Sequence, residues 1–251
     1  MTKVIIFILV FFIQCRQKKV QVQEVALGSN TDNEIVIVNI GDGDRSEIAD
    51  LLLKIEKCKP LVIGIDALFL KEGESSKDSV LEDAFSIMSN DILAYRFDST
   101  GKIERSVEEF RSKTSGEGFI NIEQENGVLN HFIPVKEEKG IVYESFALKV
   151  IKLWKPAFKL SISSNKSIPI RFKRSQEDFH YFEKPNLEES AVREFLGKKI
   201  VLVGYLGPSS EDKHYTPLRS KIKFQGTGPD TYGIVINANA IRTLLEYYTE
   251  E

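Results

Sequence analysis

Two short apolar runs constrain this chain more than anything else in its sequence: Ile35 to Ile40, interrupted only by Asn39, and Leu61 to Ile65. A strand with one hidden face alternates apolar and polar residues. A run that is apolar at both parities belongs to a strand covered on both faces, as in a parallel sheet sandwiched between helices. Between the runs, Ile48, Leu51, Leu52, Ile55 and Cys58 recur at helical spacing, with Ser46 placed to cap the start and Pro60 to stop the end. Gly41, Asp42 and Gly43 break the first run, and Asp66 closes the second. Strand, helix and strand within about thirty residues predict a βαβ unit, hence parallel strands joined by a right-handed crossover.

The same grammar continues downstream. Val80 to Ser89 reads as a helix with Leu81, Phe85 and Met88 on one side, and Ile92 to Phe97 as a third strand. The charged, aperiodic stretch from Asp98 to Gly118 is expected to be a long loop or exposed helix. Phe119 to Ile122 and Val128 to Val135 flank Asn126-Gly127 and predict a hairpin or meander. Ser145 to Trp154 reads as a helix, Ile168 to Phe172 as a short strand leading into a polar stretch that holds His180, and Ala191 to Leu196 as a helix end capped by Gly197. Ile200 to Val203 is another strand apolar at both parities, ending at Gly204; a polar loop follows from Tyr205 to Asp230, then a helix from Tyr232 to Leu245. With 251 residues, 42% of them hydrophobic, the chain can enclose one substantial core. The expected fold is α/β: a single domain with a central, largely parallel (mixed) sheet flanked by helices, preceded by an N-terminal signal or anchor segment.

That segment comes from the first fifteen residues. Lys3 precedes an unbroken apolar run, Val4 to Ile13, followed by Gln14, Cys15 and the basic Arg16, Lys18 and Lys19. As a helix the run reaches only about 15 Å against a hydrocarbon core of about 30 Å. A lipoprotein-type signal with Cys15 lipidated, an ordinary signal peptide and a short uncleaved anchor are the open readings. Each sends the remainder across a membrane, and the expectation is an extracytoplasmic, membrane-anchored protein divided into signal or anchor (1–15), tether (16–33) and folded domain (34–251). The formal net charge of −3 gives no field that would recruit nucleic acid. Cys58, left alone in a helical pattern, reads as a small buried hydrophobe.

In an open parallel sheet, ligands gather beyond the carboxyl ends of the strands. Asn39 with Asp42 and Asp44, Asp66, and Gly204 all fall at such ends. Asp66 follows two apolar strand residues, so its carboxylate needs a partner: backbone amides of the next turn, or a ligand. Asp42-Gly43-Asp44 lacks the distal glutamate of an EF-hand, and no Gly-Lys-Ser/Thr follows to make a phosphate loop. His131, His180 and His214 have no metal-ligand spacing, and no serine occupies a Gly-x-Ser-x-Gly elbow, so neither a metal site, a cofactor nor a catalytic residue is expected. Asp212, His214, Thr216 and Pro217 cluster in the late loop, and GIVINANA puts Asn237 and Asn239 near a helix start.

The order of these segments resembles the CHASE type 2 domain, a family of extracellular sensors associated with bacterial cyclases and histidine kinases. The resemblance rests on IVIVNIGD, KPLVIGIDALF, LEDAF, GKKIVLVGYLGPSSEDKHYTPL and YGIVINANAIRTLL. It implies an α/β sensory domain of unknown ligand without catalysis of its own. Asp66, Gly204, Asp212, Thr216 and Pro217 match residues of the family's blocks. Asn239 and Ala240 match the end of a His-Ala-Asn-Ala element in which Asn237 replaces the histidine, and the Asp-Gly followed by Arg that is usual near Asn126-Gly127 is missing. Candidate ligand-binding residues are therefore Asp66, Gly204, Asp212, His214, Thr216, Asn237 and Asn239. Members of the family continue into transmembrane helices and an output domain, whereas this sequence ends at Glu251 after a polar tail. The expectation is a stand-alone form, tethered at Cys15, that binds a small molecule or envelope component and hands its state to a separate membrane protein. A partner-binding envelope protein without a small ligand and a metal-dependent hydrolase using Asp66 and Asp212 are the competing readings.

Overall fold

A computed structural model describes residues 31–221 and 226–248; the expected signal or anchor, Cys15 and most of the tether lie outside the described residues. The strand β1 (Asp32–Asn39) is followed by α1 (Arg45–Glu56), β2 (Val62–Ile65), α2 (Ser75–Ile87), β3 (Asp91–Phe97), β4 (Ile103–Glu104), α3 (Glu108–Arg111) and β5 (Gly116–Phe119). A meander follows, β6 (Glu123–Glu125), β7 (Val128–Phe132), β8 (Val135–Glu138) and β9 (Ile141–Glu144), then α4 (Phe146–Trp154), β10 (Ile168–Pro169) and β11 (Phe179–Phe182). The chain closes with α5 (Ser190–Leu196), β12 (Ile200–Gly204), β13 (Lys213–His214), α6 (Leu218–Lys221), β14 (Thr231–Tyr232) and α7 (Gly233–Tyr247).

The main sheet runs β11-β1-β12-β2-β3, with β5 parallel to β3 and the two-residue β4 antiparallel to β3; every other pairing in it is parallel. Strands from opposite ends of the chain lie side by side: Ile35 to Asn39 pair in register with Ile200 to Gly204. β1 and β2 are therefore parallel, as the βαβ pattern predicts, but β12 is inserted between them. The two-parity apolar runs have a direct cause. Ile35, Ile37, Ile200 and Leu202 join a core beneath α4 and α7, while Val36, Val38, Val201 and Val203 join a second core beneath α1 and α2. On β2, Gly64 keeps the first face thin: a Cβ there would stand 2.8 Å from both the Phe146 ring and Leu202.

Several expectations change. The fold begins at Asp32, two residues before Glu34, because the Asp32 side chain is buried and structural. α1 is capped by Asp44 and not Ser46: the Asp44 carboxylate accepts the Ser46 and Glu47 amides while Glu47 accepts the Asp44 N–H, a closed capping box. Within the presumed loop from Asp98 to Gly118 lie β4, α3 and sheet strand β5. The face of β5 toward α4 is glycine, since a Cβ on Gly118 would stand 2.5 Å from the Phe146 Cα, so the strand shows no apolar signature. The hairpin exists, with Asn126 (φ 51°) and Gly127 (φ 80°) forming its two-residue turn, but its first arm is β6, and Phe119 instead ends β5. His180 sits on the edge strand β11 and stacks edge-on against Phe195 at 4.6 Å. Cys58 follows the end of α1, buried, its thiol donating to the Lys54 carbonyl, and burial pushes the thiol up.

Candidate functional site

At the carboxyl edge the strand ends are stitched together by their own backbone. Ile40 N–H donates to the Gly204 carbonyl (2.9 Å) and Asp66 N–H to the Val203 carbonyl (2.8 Å). The Asn39 side chain completes the joint: its oxygen accepts the Gly41 and Leu206 amides and its NH2 donates to Glu183, so it is fully engaged. Gly204 is where α7 comes closest to the sheet, because a Cβ there would stand 2.7 Å from that of Ile234. These contacts bring the start of α7 over the end of β2.

Asp66 meets α7 there. Asn237, itself buried, donates its side-chain NH2 to Asp66 Oδ2 at 2.9 Å. Asp66 is half-buried; loss of solvation first, then repulsion from Asp212, push its carboxyl up to about 7 against the Asn237 bond, which works the other way. Asp212 lies against the first residue of α7: a Cβ on Gly233 would stand 2.9 Å from Asp212 Oδ1, and Gly233 N–H donates to the Asp212 carbonyl at 3.0 Å. Burial pushes the Asp212 carboxyl up as well, opposed by His214 and the Gly233 amide. His214 Nε2 stands 3.9 Å from Asp212 Oδ1, an ion pair only when the imidazole is protonated. Asp66, Gly204, Asp212, His214 and Asn237 thus gather at one rim, where two mutually repelling carboxyls face the start of the last helix.

Two other candidate residues are engaged within the protein. The Asn239 oxygen accepts the Lys173 and Arg174 amides, and its NH2 donates to the Arg174 and Val235 carbonyls. It is completely buried and clips the segment before β11 to α7. The Thr216 hydroxyl is bonded to Asp230 and Thr231 and accepts the Leu218 amide, bracing the loop that the sequence left as a polar stretch. Among the described residues no three His, Cys, Asp or Glu side chains form a group able to hold a metal ion.

Sequence reasoning missed a second polar centre at the opposite, amino edge. The Asp32 carboxylate accepts the Glu34 and Ile35 amides (2.9 Å each) and takes two bonds from the Arg242 guanidinium, with Arg174 beside it at 3.2 Å. Burial by itself would raise this carboxyl, but Arg242 and the two amides outweigh it and hold the group below the usual carboxylate range. A signal for this centre was present in the sequence. Beyond Asn237, the helix carries its polar residues Asn239, Arg242, Thr243 and Glu246 toward its second half, and each of them bonds the amino-edge segments.

The described chain is thus an α/β domain with a mostly parallel sheet and a charged rim at its carboxyl edge. The family model of the CHASE2 domain matches residues 7–251, and the chain belongs to this family of sensory extracellular domains. No curated protein and no solved structure is significantly similar to it. Among the described residues, no helix is long and apolar enough to cross a membrane.

Proposed function

We infer that the chain is a non-catalytic sensory domain on the outer side of a bacterial membrane, tethered through Cys15, whose state is set at the Asp66 rim and passed to a partner membrane protein. The observation that carries this reading is the Asp66–Asn237 bond beside Asp212. It couples a strand end to the last helix at a point where two carboxyls repel, so whatever neutralises or bridges them changes the seating of α7. A small molecule rich in hydrogen-bond donors, or one carrying a cationic group, has the chemistry for that position, with His214 and Asn237 at its sides. Family membership supports the sensory role, and the apolar run ending at Cys15 supports the tether.

The test is thermal melting of the full chain against a panel of amines, guanidines and polyols. A binder of the folded state raises the melting temperature with dose. Asp66→Asn and Asp212→Asn are expected to abolish the rise, and a binder indifferent to both substitutions places sensing elsewhere. Metabolic labelling with a fatty acid is expected to mark the parent and not Cys15→Ala; an unlabelled parent removes the lipid tether.

A further inference from the structure

A cleft of about 350 Å³ opens at the β5 edge of the sheet, between β3, the β8–β9 hairpin and α4, with Tyr95, Arg105 and Glu117 along one side. Its polar groups do not satisfy one another. Glu117 Oε2 lies 3.7 Å from an Arg105 Nη and 3.5 Å from Arg111 Nε, beyond hydrogen-bond range, while Glu117 Oε1, Arg105 Nε and Arg111 Nε are buried with no hydrogen-bond partner. The large majority of buried side-chain polar atoms in folded proteins are paired, so three orphans of both polarities at one spot are a concentration that needs a cause. Burial pushes the Glu117 carboxyl up, against the pull of Arg105 and Arg111, as expected of an acid whose cations stand too far off. Arg111 spends its own terminal nitrogen on Glu108 at 2.6 Å. The Arg105 guanidinium carbon stands over the Tyr95 ring, 4.6 Å from its centre, which places the cation beside the cleft.

The opposite wall completes the chemistry. Lys149 reaches the cleft from α4 and pairs loosely with Glu144 at 3.5 Å. The lining holds two cations, Arg105 and Lys149, and two carboxylates, Glu117 and Glu144, so both signs of charge are offered to one occupant. Ile141 and Val142, 54% and 58% exposed, form an apolar lip above these charges. A molecule with one charge of each sign a few bonds apart and an apolar branch matches all three features.

We propose that this cleft binds a small zwitterion of the α-amino acid class, its carboxylate on the Arg105 guanidinium with Lys149 near, its ammonium on the Glu117 carboxylate, and its side chain against Ile141 and Val142. The site is separate from the Asp66 rim and does not depend on the reading given to that rim. The full chain is melted with each of the twenty common L-amino acids, and the strongest stabiliser is compared with its amine-only and acid-only analogues. A saturable rise with at least one amino acid is expected, with both analogues at least about tenfold weaker and Glu117→Gln weakening binding by a similar factor. Val142→Asp, on an exposed lip where folding is not at stake, is expected to shift preference away from apolar side chains. Asp66→Asn is expected to leave the amino-acid response intact, which separates this site from the rim. The proposal is overturned if no amino acid raises the melting temperature, if an analogue lacking one charge does as well, or if folded Glu117→Gln binds as the parent does.

Discussion

α7 spans the sheet, and the carboxyls at its two ends are treated in opposite ways. Near its start, Asp66 has one amide partner and a second carboxyl as neighbour, and it is pushed up to about 7. Near its end, Asp32 has two backbone amides and a guanidinium, and it is held below the ordinary range. Both are desolvated; what differs is whether a cation and enough donors accompany the charge into the interior. The lesson is that one helix carries a fixed point and a responsive point. The Asp32–Arg242 clamp holds one end of α7 to β1, and the opposite end rests on a charge arrangement that a proton or ligand can change.

The comparison is broken most forcefully at the clamp. Asp32→Ala leaves Arg242, whose side chain is only 11% exposed, with Glu34 alone for a close carboxylate and is expected to cost about 3–5 kcal/mol in denaturant unfolding. Asp32→Leu combined with Arg242→Met is expected to recover most of that loss, because two apolar groups replace the pair without stranding a charge. If Asp32→Ala costs less than the double variant, the clamp is no anchor. A smaller effect is expected where α7 leans on the sheet: Gly204→Ala forces a Cβ to within 2.7 Å of that of Ile234 and is expected to cost about 1–3 kcal/mol by overpacking. Such a shift of α7 also disturbs the Asn237 bond, so the stability loss should be accompanied by a changed pH profile. Asp44 offers a control at the same edge, since its carboxylate is satisfied by the capping box of α1. Asp44→Ala is expected to lower the melting temperature by about 2–4 °C while leaving the pH profile of the rim unchanged.

The two regions also differ in how legible they were. β1, β2 and β12 announced themselves because burial on both faces leaves no polar parity, and the position of Asp66 at a strand end followed from the same pattern. β5 was hidden because its side toward α4 admits no Cβ, and β11 because an edge strand can carry His180 and the exposed Tyr181. Asp32 was assigned to the tether because its meaning depends on Arg242, 210 residues away. The Asp66–Asn237 bond joins residues 171 apart and has no local signature. Asn239 and Thr216 were legible as polar residues that could brace local backbone, but their distant partners were not: the Lys173–Arg174 backbone for Asn239, and the Asp230 and Thr231 side chains for Thr216.

The responsive end is tested by its proton. A carboxyl at about 7 in the folded chain, against 3.8 in ordinary surroundings, keeps its proton over a window in which the unfolded chain has lost it. Stability from this group is therefore greatest below that window, falls as pH rises from about 4 to about 7, and is level above. Asp66→Asn is expected to remove this loss, melting above the parent at pH 8 by a margin that disappears toward pH 4. The most direct measurement is the carboxyl carbon resonance of Asp66 followed by NMR through a pH titration of the parent and of Asp212→Asn. A midpoint near 7 that moves down when Asp212 is neutralised is the result expected. A midpoint near 3.8, unaffected by Asp212, would show that the rim holds an ordinary surface carboxylate and contradict the account.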